Sequence, residues 1–142
     1  METGKAVAIT VETTVLKPVG DVWEYWNEPQ HITKWCAASD DWHAPAAEND
    51  LRVGGRFTTR MEAKDGSFGF DFGGVYDEVR RNEFISYTME DGRKVAITFI
   101  SEGNNTKVIE TFDAETTNSV EMQKAGWQAI LDNFKKYSES SK

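Results

Sequence analysis

Apolar and polar residues alternate along several short segments of the chain, and a two-residue period predicts β-strands. In the first of these segments, residues 5–15, apolar side chains recur on one face. Asp65-Gly66 and Asp91-Gly92 separate later segments, and Asp-Gly pairs are typical of tight hairpin turns. The pattern therefore predicts an antiparallel sheet. The further strand segments are residues 55–63, 68–80, 84–89, 94–101 and 106–112.

A helical period replaces the alternation after the first strand. Trp23 and Trp26 share one face of a predicted helix that begins at Pro18 and ends before Pro29. Proline suits the first helical position, where its missing N–H costs nothing, and it ends a preceding helix because it cannot donate the next backbone hydrogen bond. A second, shorter helix is expected at residues 30–35.

The last segment predicts one long helix with an apolar stripe. Asn118 followed by Glu121 resembles a capping box, which predicts that the helix starts there. Gly126 lowers helix propensity by roughly 1 kcal/mol relative to alanine, so we expect a close approach to a strand or a ligand at this position. The stripe consists of Val120, Trp127, Ile130, Leu131, Phe134 and Tyr137.

Residues 36–50 are polar and irregular, and Pro45 suits an edge strand better than a central one. The paired glycines Gly54-Gly55 and Gly73-Gly74 mark bends that let a sheet curl. Only the last helix is long enough to cover such a sheet. The pattern predicts an α+β fold in which a curved antiparallel sheet wraps around this helix and leaves a cavity. No repeat or linker interrupts residues 1–142, which predicts one domain.

Composition and net charge disfavour some classes of binding partner. The 24 acidic and 16 basic residues give a net charge of −8, which disfavours both nucleic acid and an anionic membrane surface as partners. A lone cysteine, Cys36, allows no internal disulfide. Neither a secretory signal nor a membrane-spanning apolar run is recognisable, so a cytoplasmic location is expected.

Several motifs, taken in order, resemble one known group of proteins. They are the Trp23 and Trp26 helix after Pro18, the segment 29–35, the string Arg-Val-Gly-Gly-Arg-Phe at 52–57, and Trp127 in the last helix. The chain resembles the START-like superfamily, also called SRPBCC or Bet v 1-like. Within it, the chain is most similar to bacterial homologues of the C-terminal domain of the activator of heat-shock protein 90 ATPase.

The resemblance implies the helix-grip fold: a curved antiparallel sheet of about six or seven strands around a long C-terminal helix, with two short helices after the first strand. It also implies a deep pocket between that helix and the sheet. Members of the superfamily bind lipids, hormones or polyketides, and some are cyclases. Fold transfers between such relatives more readily than function does.

Inward strand positions, the last helix and the irregular segment supply the candidate ligand-binding residues. Trp35 and Trp42 bracket the irregular segment and are candidate gates, and Tyr87 can offer a hydroxyl from an apolar wall. Aromatic residues at strand period are more often core, which is the alternative for the phenylalanines. The predicted set is Trp35, Trp42, Thr59, Met61, Phe70, Phe72, Tyr87, Phe99, Glu110, Phe112, Trp127 and Ile130.

Glu110 is the candidate with the most chemical content. It falls between Val108 and Phe112 on the expected inward face of its strand, where an unpaired carboxylate is costly. One interpretation makes it a pocket acid or base that orients a ligand. The other is a register shift of one residue, which would place Glu110 in solvent.

Two histidines and the lone cysteine are the candidates for a metal site or a thiol nucleophile. His31, His43 and Cys36 match no standard zinc spacing, so neither a metal nor another cofactor is expected. A pairing of Cys36 with a histidine remains open, against the alternative that Cys36 is a small buried residue.

Three functions follow from these patterns. The leading one is binding of a small hydrophobic molecule. The second is a polyketide cyclase or hydrolase that uses Glu110 or His43 as general acid–base and Tyr87 as hydrogen-bond donor. The third, implied by the resemblance, is activation of a heat-shock ATPase, although eukaryotic activators carry an additional N-terminal domain that these 142 residues lack. Pairing of an exposed edge strand could also form a homodimer.

Overall fold

A computed structural model describes residues 7–37 and 39–140 of the chain. Seven strands and three helices occupy these residues. The strands are β1 (Ala8–Val15), β2 (Trp42–Asn49), β3 (Arg56–Ala63), β4 (Gly69–Arg80), β5 (Phe84–Met89), β6 (Lys94–Glu102) and β7 (Asn105–Asp113). The helices are α1 (Val19–Asn27), α2 (Pro29–Trp35) and α3 (Val120–Ser140). None of the helices in the described ranges has the length and apolar character needed to span a membrane.

The strands form one antiparallel sheet in the order β1-β7-β6-β5-β4-β3-β2. Consecutive strands from β2 to β7 pair as hairpins, and β1 joins the far edge by pairing with β7. The sheet is curled, and α3 packs against β1 and α2. This arrangement confirms the predicted α+β helix-grip fold.

The turns between strands lie at the glycines that the sequence predicts. Gly66 and Gly92 have φ values of +78° and +91°, a conformation that glycine adopts without steric cost. In the paired-glycine turn before β3, Gly54 also has a positive φ, and a Cβ on Gly55 would lie 2.1 Å from the carbonyl oxygen of Asp50. Both glycines are therefore required by the backbone of this turn.

The irregularities in the sheet lie partly where the sequence predicts them. Pro45 falls within a register shift between His43 and Ala46 on β2, which is an edge strand as expected. In β4 the register shift lies between Tyr76 and Glu78, after the Gly73-Gly74 pair that was predicted to mark it. The shift adds one residue to β4, and the alternation of inward and outward side chains therefore changes phase at this point. As a result, Tyr76 and Val79 both point into the core although they are three residues apart.

The beginning of α3 differs from the prediction. The hydroxyl of Ser119 accepts a hydrogen bond from the backbone N–H of Met122 at 3.1 Å, so Ser119 is the N-cap. Asn118 instead donates its side-chain N–H to Glu115. The predicted capping box is therefore wrong by one residue. Val120, which the predicted stripe included, is exposed.

The core lies between the sheet and the helices. Phe134 of α3 is fully buried, with its ring centroid 4.8 Å from that of Trp26 and 4.9 Å from that of Trp35. Edge-to-face packing of this kind stabilises aromatic clusters beyond the burial of their area. The cluster joins all three helices, and it fixes the position of α3 above the sheet.

Candidate functional site

A cavity of about 300 Å³ separates α3 from the middle of the sheet. All three helices contribute to its wall, together with residues of β2, β3, β4, β5 and β7. Its volume lies at the lower end of the range typical of small-molecule sites. Phe70, which is 42% exposed, lies at the rim of the cavity.

Most of the predicted site residues surround this cavity. Their role in binding stays a prediction, but the fold brings them together as inward positions of neighbouring strands and of the facing helix. The predicted residues in the wall are Trp35, Thr59, Met61, Phe70, Phe72, Tyr87, Glu110, Trp127 and Ile130.

Three predicted residues lie outside the wall because other aromatic rings cover them. Trp42 packs against Phe68 and Phe70 at the start of β2, with ring centroids 6.0 Å apart in each pair. Phe99 lies beneath α1, and its ring centroid is 5.2 Å from that of Trp23. Phe112 lies beneath Trp127 of α3, which stands between it and the cavity.

The candidate gate at Trp35 is a fixed part of the wall. Its indole N–H donates a hydrogen bond to the backbone carbonyl of Tyr25 at 2.9 Å, and the side chain is buried. Trp127 has a more central position, since its ring meets Phe72 across the cavity at a centroid distance of 6.1 Å. At the neighbouring Gly126 a Cβ would meet no atom within 4 Å, so the predicted close approach is not found.

Glu110 points inward and is 6% exposed, so the register shift that would have placed it in solvent is excluded. Its strand neighbours across the sheet are Val11 and Ile97. Burial among apolar residues disfavours the charged form and raises the pKa of the carboxyl to about 8. No described residue donates a hydrogen bond to this carboxyl, which is mostly protonated at neutral pH.

Tyr87 belongs to the same wall and is also 6% exposed. Burial, with the nearby Glu110 as a smaller cause, raises the pKa of its phenol well above the usual value. No described residue forms a hydrogen bond with the Tyr87 hydroxyl. Two neutral O–H groups therefore face one apolar cavity.

Cys36 is a neutral thiol in the cavity wall. Burial raises its pKa to about 12, and the negative charge of Glu110 acts in the same direction. Its Sγ lies 3.8 Å from the Sδ of Met61. Because a thiolate is the reactive species, this environment does not support a nucleophilic role.

Neither histidine of the described chain lies beside this thiol. Nδ1 of His31 forms a hydrogen bond of 2.6 Å with the hydroxyl of Tyr137, which joins α2 to α3. His43 lies on the surface, with its Nε2 3.8 Å from a carboxylate oxygen of Glu62. The proposed Cys36–histidine pair is therefore not formed, and His43 lies outside the cavity wall.

Across residues 7–37 and 39–140, no cluster of three or more His, Cys, Asp and Glu side chains is placed to hold a metal ion.

Comparison with known proteins identifies the family. The family model described as Activator of Hsp90 ATPase homolog 1-like protein matches residues 17–139. The chain belongs to this family. The resemblance to the START-like superfamily is thereby confirmed.

Solved structures of similar chains agree with the family assignment. The AHSA1-like protein from Aeromonas hydrophila is 48% identical, with a TM-score of 0.89 over 94% of this chain and 93% of that chain. A protein from Cytophaga hutchinsonii is 60% identical, with a TM-score of 0.81 over 92% of this chain and 91% of that one. A protein from Chromobacterium violaceum shares the fold at 22% identity, with a TM-score of 0.83 and coverage of 94% and 98%. No curated protein matches the chain.

The wall of this Activator of Hsp90 ATPase homolog 1-like domain also contains a polar network that the sequence patterns do not predict. The hydroxyl of Tyr76 donates to Oδ1 of Asn49 at 2.6 Å, and Nδ2 of Asn49 donates to the carbonyl of Asn27 at 2.7 Å. Alternation along β4 could have indicated Tyr76. Nothing in the sequence marks the two asparagines, since their meeting depends on how α1 packs on the sheet.

The other lining residues that the sequence did not predict form two groups, a polar group at one end of the cavity and an apolar group along its wall. Arg93, Glu115 and Gln123 come from the β5–β6 turn, the loop after β7 and the first turn of α3. Turn and loop residues carry no periodic signal, so their convergence is a tertiary effect. The missed apolar and aromatic wall residues are Trp26, Ile32, Cys36, Phe57 and Ile85.

Proposed function

We propose that this domain binds a small hydrophobic molecule in the cavity between α3 and the sheet. The observation that carries the proposal is the chemistry of the wall: aromatic and aliphatic side chains enclose about 300 Å³, with only a few polar groups among them. Small-molecule sites typically combine an apolar wall with a few polar groups that orient the ligand.

The first test is native mass spectrometry of the protein purified from its own host, followed by denaturing extraction of any bound molecule. A stoichiometric hydrophobic compound supports the proposal and identifies the ligand. A panel of lipids, flavonoids and aromatic polyketides then tests binding by thermal shift. Absence of both a co-purified molecule and any shift would count against the proposal.

A pair of matched variants locates the binding site. Ile130→Trp places a larger side chain in the cavity wall, whereas Val120→Trp places one at an exposed position of the same helix. We expect the first variant to weaken binding of any active panel compound at least tenfold, and the second to leave it unchanged. Equal affinities would place the ligand elsewhere.

An exposed aromatic cluster favours a second candidate function, contact with a heat-shock ATPase. Phe68 is 61% exposed and lies with Phe70 and Trp42 at one end of the sheet. Exposed apolar surface of this kind often marks a protein contact, and the family description names an Hsp90 ATPase activator. We expect Phe68→Ser to abolish co-purification with the host's Hsp90-type ATPase, and no co-purification of the wild type would exclude this function.

A further inference from the structure

Glu110 and Tyr87 are two polar residues of the cavity wall that have no hydrogen-bond partner among the described residues. Both side chains are almost completely buried, and both line the same cavity from strands on either side of β6. Neither polar group forms a hydrogen bond with another described residue. They lie close enough for a charge on Glu110 to affect the ionisation of Tyr87.

Both groups line the cavity and have no partner within the described protein. Among the described residues, the fully buried side-chain oxygens without a partner are those of Asn82 and Ser138, whereas the polar atoms of Glu110 and Tyr87 are open to the cavity. A few polar groups in an otherwise apolar wall are the usual means by which a small-molecule site orients its ligand. A bound molecule with the complementary hydrogen-bonding group would satisfy both.

The protonation state of the pair indicates what that group is. Burial raises the pKa of Glu110 to about 8 and the pKa of Tyr87 well above its usual value, so both groups carry a proton at neutral pH. Each is then an O–H donor. A carboxylic acid kept neutral beside a tyrosine in an apolar site is suited to donate hydrogen bonds to a carbonyl oxygen.

Charged ligands fit this wall less well. Arg93 is the one Lys or Arg among the described lining residues, and its Nε already donates to Asp91 at 2.7 Å. Glu115 lies at the same polar end of the cavity and opposes an anionic ligand. A cationic amine would require the ionised form of Glu110, which its apolar surroundings disfavour.

We propose that the ligand is an uncharged, largely apolar molecule with a carbonyl group, and that its carbonyl oxygen accepts hydrogen bonds from the Glu110 carboxyl and the Tyr87 hydroxyl. This inference rests on the proposed function, because it assigns a chemical class to the ligand of the same cavity. It does not depend on which carbonyl compound the host supplies.

Two rigid probes of matched shape test it: the ketone 9-fluorenone and its parent hydrocarbon fluorene. Binding of fluorene tests the hydrophobic cavity alone, whereas the preference for fluorenone measures the two donors. We expect the wild type to bind fluorenone about tenfold more tightly than fluorene, since each neutral hydrogen bond contributes a factor of roughly threefold to tenfold. The infrared stretch of the bound ketone should shift to lower frequency than in an apolar solvent.

Variants assign the preference to the two residues. Tyr87→Phe removes one hydroxyl at almost constant volume, and Glu110→Leu removes the carboxyl. Each should lower the ratio of the fluorenone affinity to the fluorene affinity by roughly threefold or more, and each should reduce the infrared shift. Thermal melts establish that the variants fold, and Glu110→Gln serves as a further variant that keeps an N–H donor.

The pH dependence of the preference for fluorenone tests the carboxyl of Glu110 separately from the other polar groups of the wall. As the pH rises from 7 to 9, the wild-type preference for fluorenone should fall because a carboxylate cannot donate. Glu110→Gln should lack this decline. The other titratable and charged groups of the wall are the same in both proteins: Cys36, Tyr76, Tyr87, Arg93 and Glu115.

The outcomes distinguish the two proposals. Equal affinities for both probes, with an unshifted carbonyl stretch, overturn the assignment of a carbonyl ligand and leave the hydrophobic binding function intact. Failure of both probes to bind overturns the binding function and, with it, this inference. A fluorenone preference that survives both Tyr87→Phe and Glu110→Leu places the carbonyl oxygen elsewhere in the cavity and also contradicts the assignment.

Discussion

The indole of Trp127 lies flat on the phenyl ring of Phe112, with the ring centroids 3.8 Å apart and the planes inclined by only 10°. Phe112 is 1% exposed on β7, whereas Trp127 is half-buried on α3 and faces the cavity. This stacked contact joins α3 to β7 and covers Phe112 on the side of the cavity.

Trp127→Ala should therefore destabilise the fold. We expect the free energy of unfolding to fall by about 2–4 kcal/mol, because the substitution removes the stack and leaves Phe112 uncovered. Urea denaturation measures the change. Lys124→Ala, an exposed position on the same helix, is the control and should change the free energy by less than about 0.5 kcal/mol. Equal losses in the two variants would show that the stack contributes nothing.

The buried carboxyl of Glu110 should make stability depend on pH. Its pKa is about 8 in the folded protein, above the ordinary value of 4.5, so the folded state holds a proton that the unfolded state releases between these values. The contribution of this carboxyl to stability is therefore most favourable below the window and becomes less favourable as pH rises through it, by up to about 1.4 kcal/mol per pH unit.

Glu110→Gln removes this titration and isolates its effect. The difference in melting temperature between the variant and the wild type should grow in favour of the variant as pH rises from 5 to 8. All other side chains are the same in both proteins, so their contributions cancel in the difference. A difference that stays constant over this range would mean that Glu110 is already ionised.

Gly126→Ala should stabilise the protein. A Cβ at this position meets no atom within 4 Å, and alanine favours the helix by about 0.5–1 kcal/mol relative to glycine. Gly55→Ala is the matched opposite, because a Cβ there would lie 2.1 Å from the carbonyl oxygen of Asp50. We expect thermal melts to show a rise for the first variant and a clear fall for the second. A fall at Gly126 would reveal that α3 needs flexibility at this point.

The contact between Tyr76 and Asn49 should be energetically coupled. Asn49→Ala leaves the mostly buried Tyr76 hydroxyl without its acceptor, at a cost of about 1–3 kcal/mol. Tyr76→Phe in the same background removes the unpaired hydroxyl and should recover part of that loss. A double-mutant cycle by chemical denaturation should therefore give a coupling energy of at least about 0.5 kcal/mol. Additive effects would contradict the hydrogen bond as a stabilising contact.

Much of the fold follows from local patterns in the sequence. The alternation of apolar residues identifies β1 and β3 to β7 within a few residues, whereas β2 lies in the segment that the pattern left irregular. Asp65-Gly66 and Asp91-Gly92 correctly mark hairpin turns. These signals are local, because the pleat of a strand and the φ of a turn glycine depend on neighbouring residues only. The helix cap was predicted one residue too early, at Asn118, and the register shift in β4 lies after Tyr76 and not at the Gly73-Gly74 pair.

The candidate site required the tertiary structure. A period of two determines that Glu110 and Phe112 share one face of β7, and the pairing of Phe99 with Val108 adds Phe99 of β6 to the same buried face. It does not determine what lies above each residue. Trp23 of α1 covers Phe99 and Trp127 of α3 covers Phe112. No described helix residue covers Glu110 in this way, and it faces the cavity. The sequence could not predict this difference, because helix packing depends on contacts between segments far apart in the chain, which no local period records.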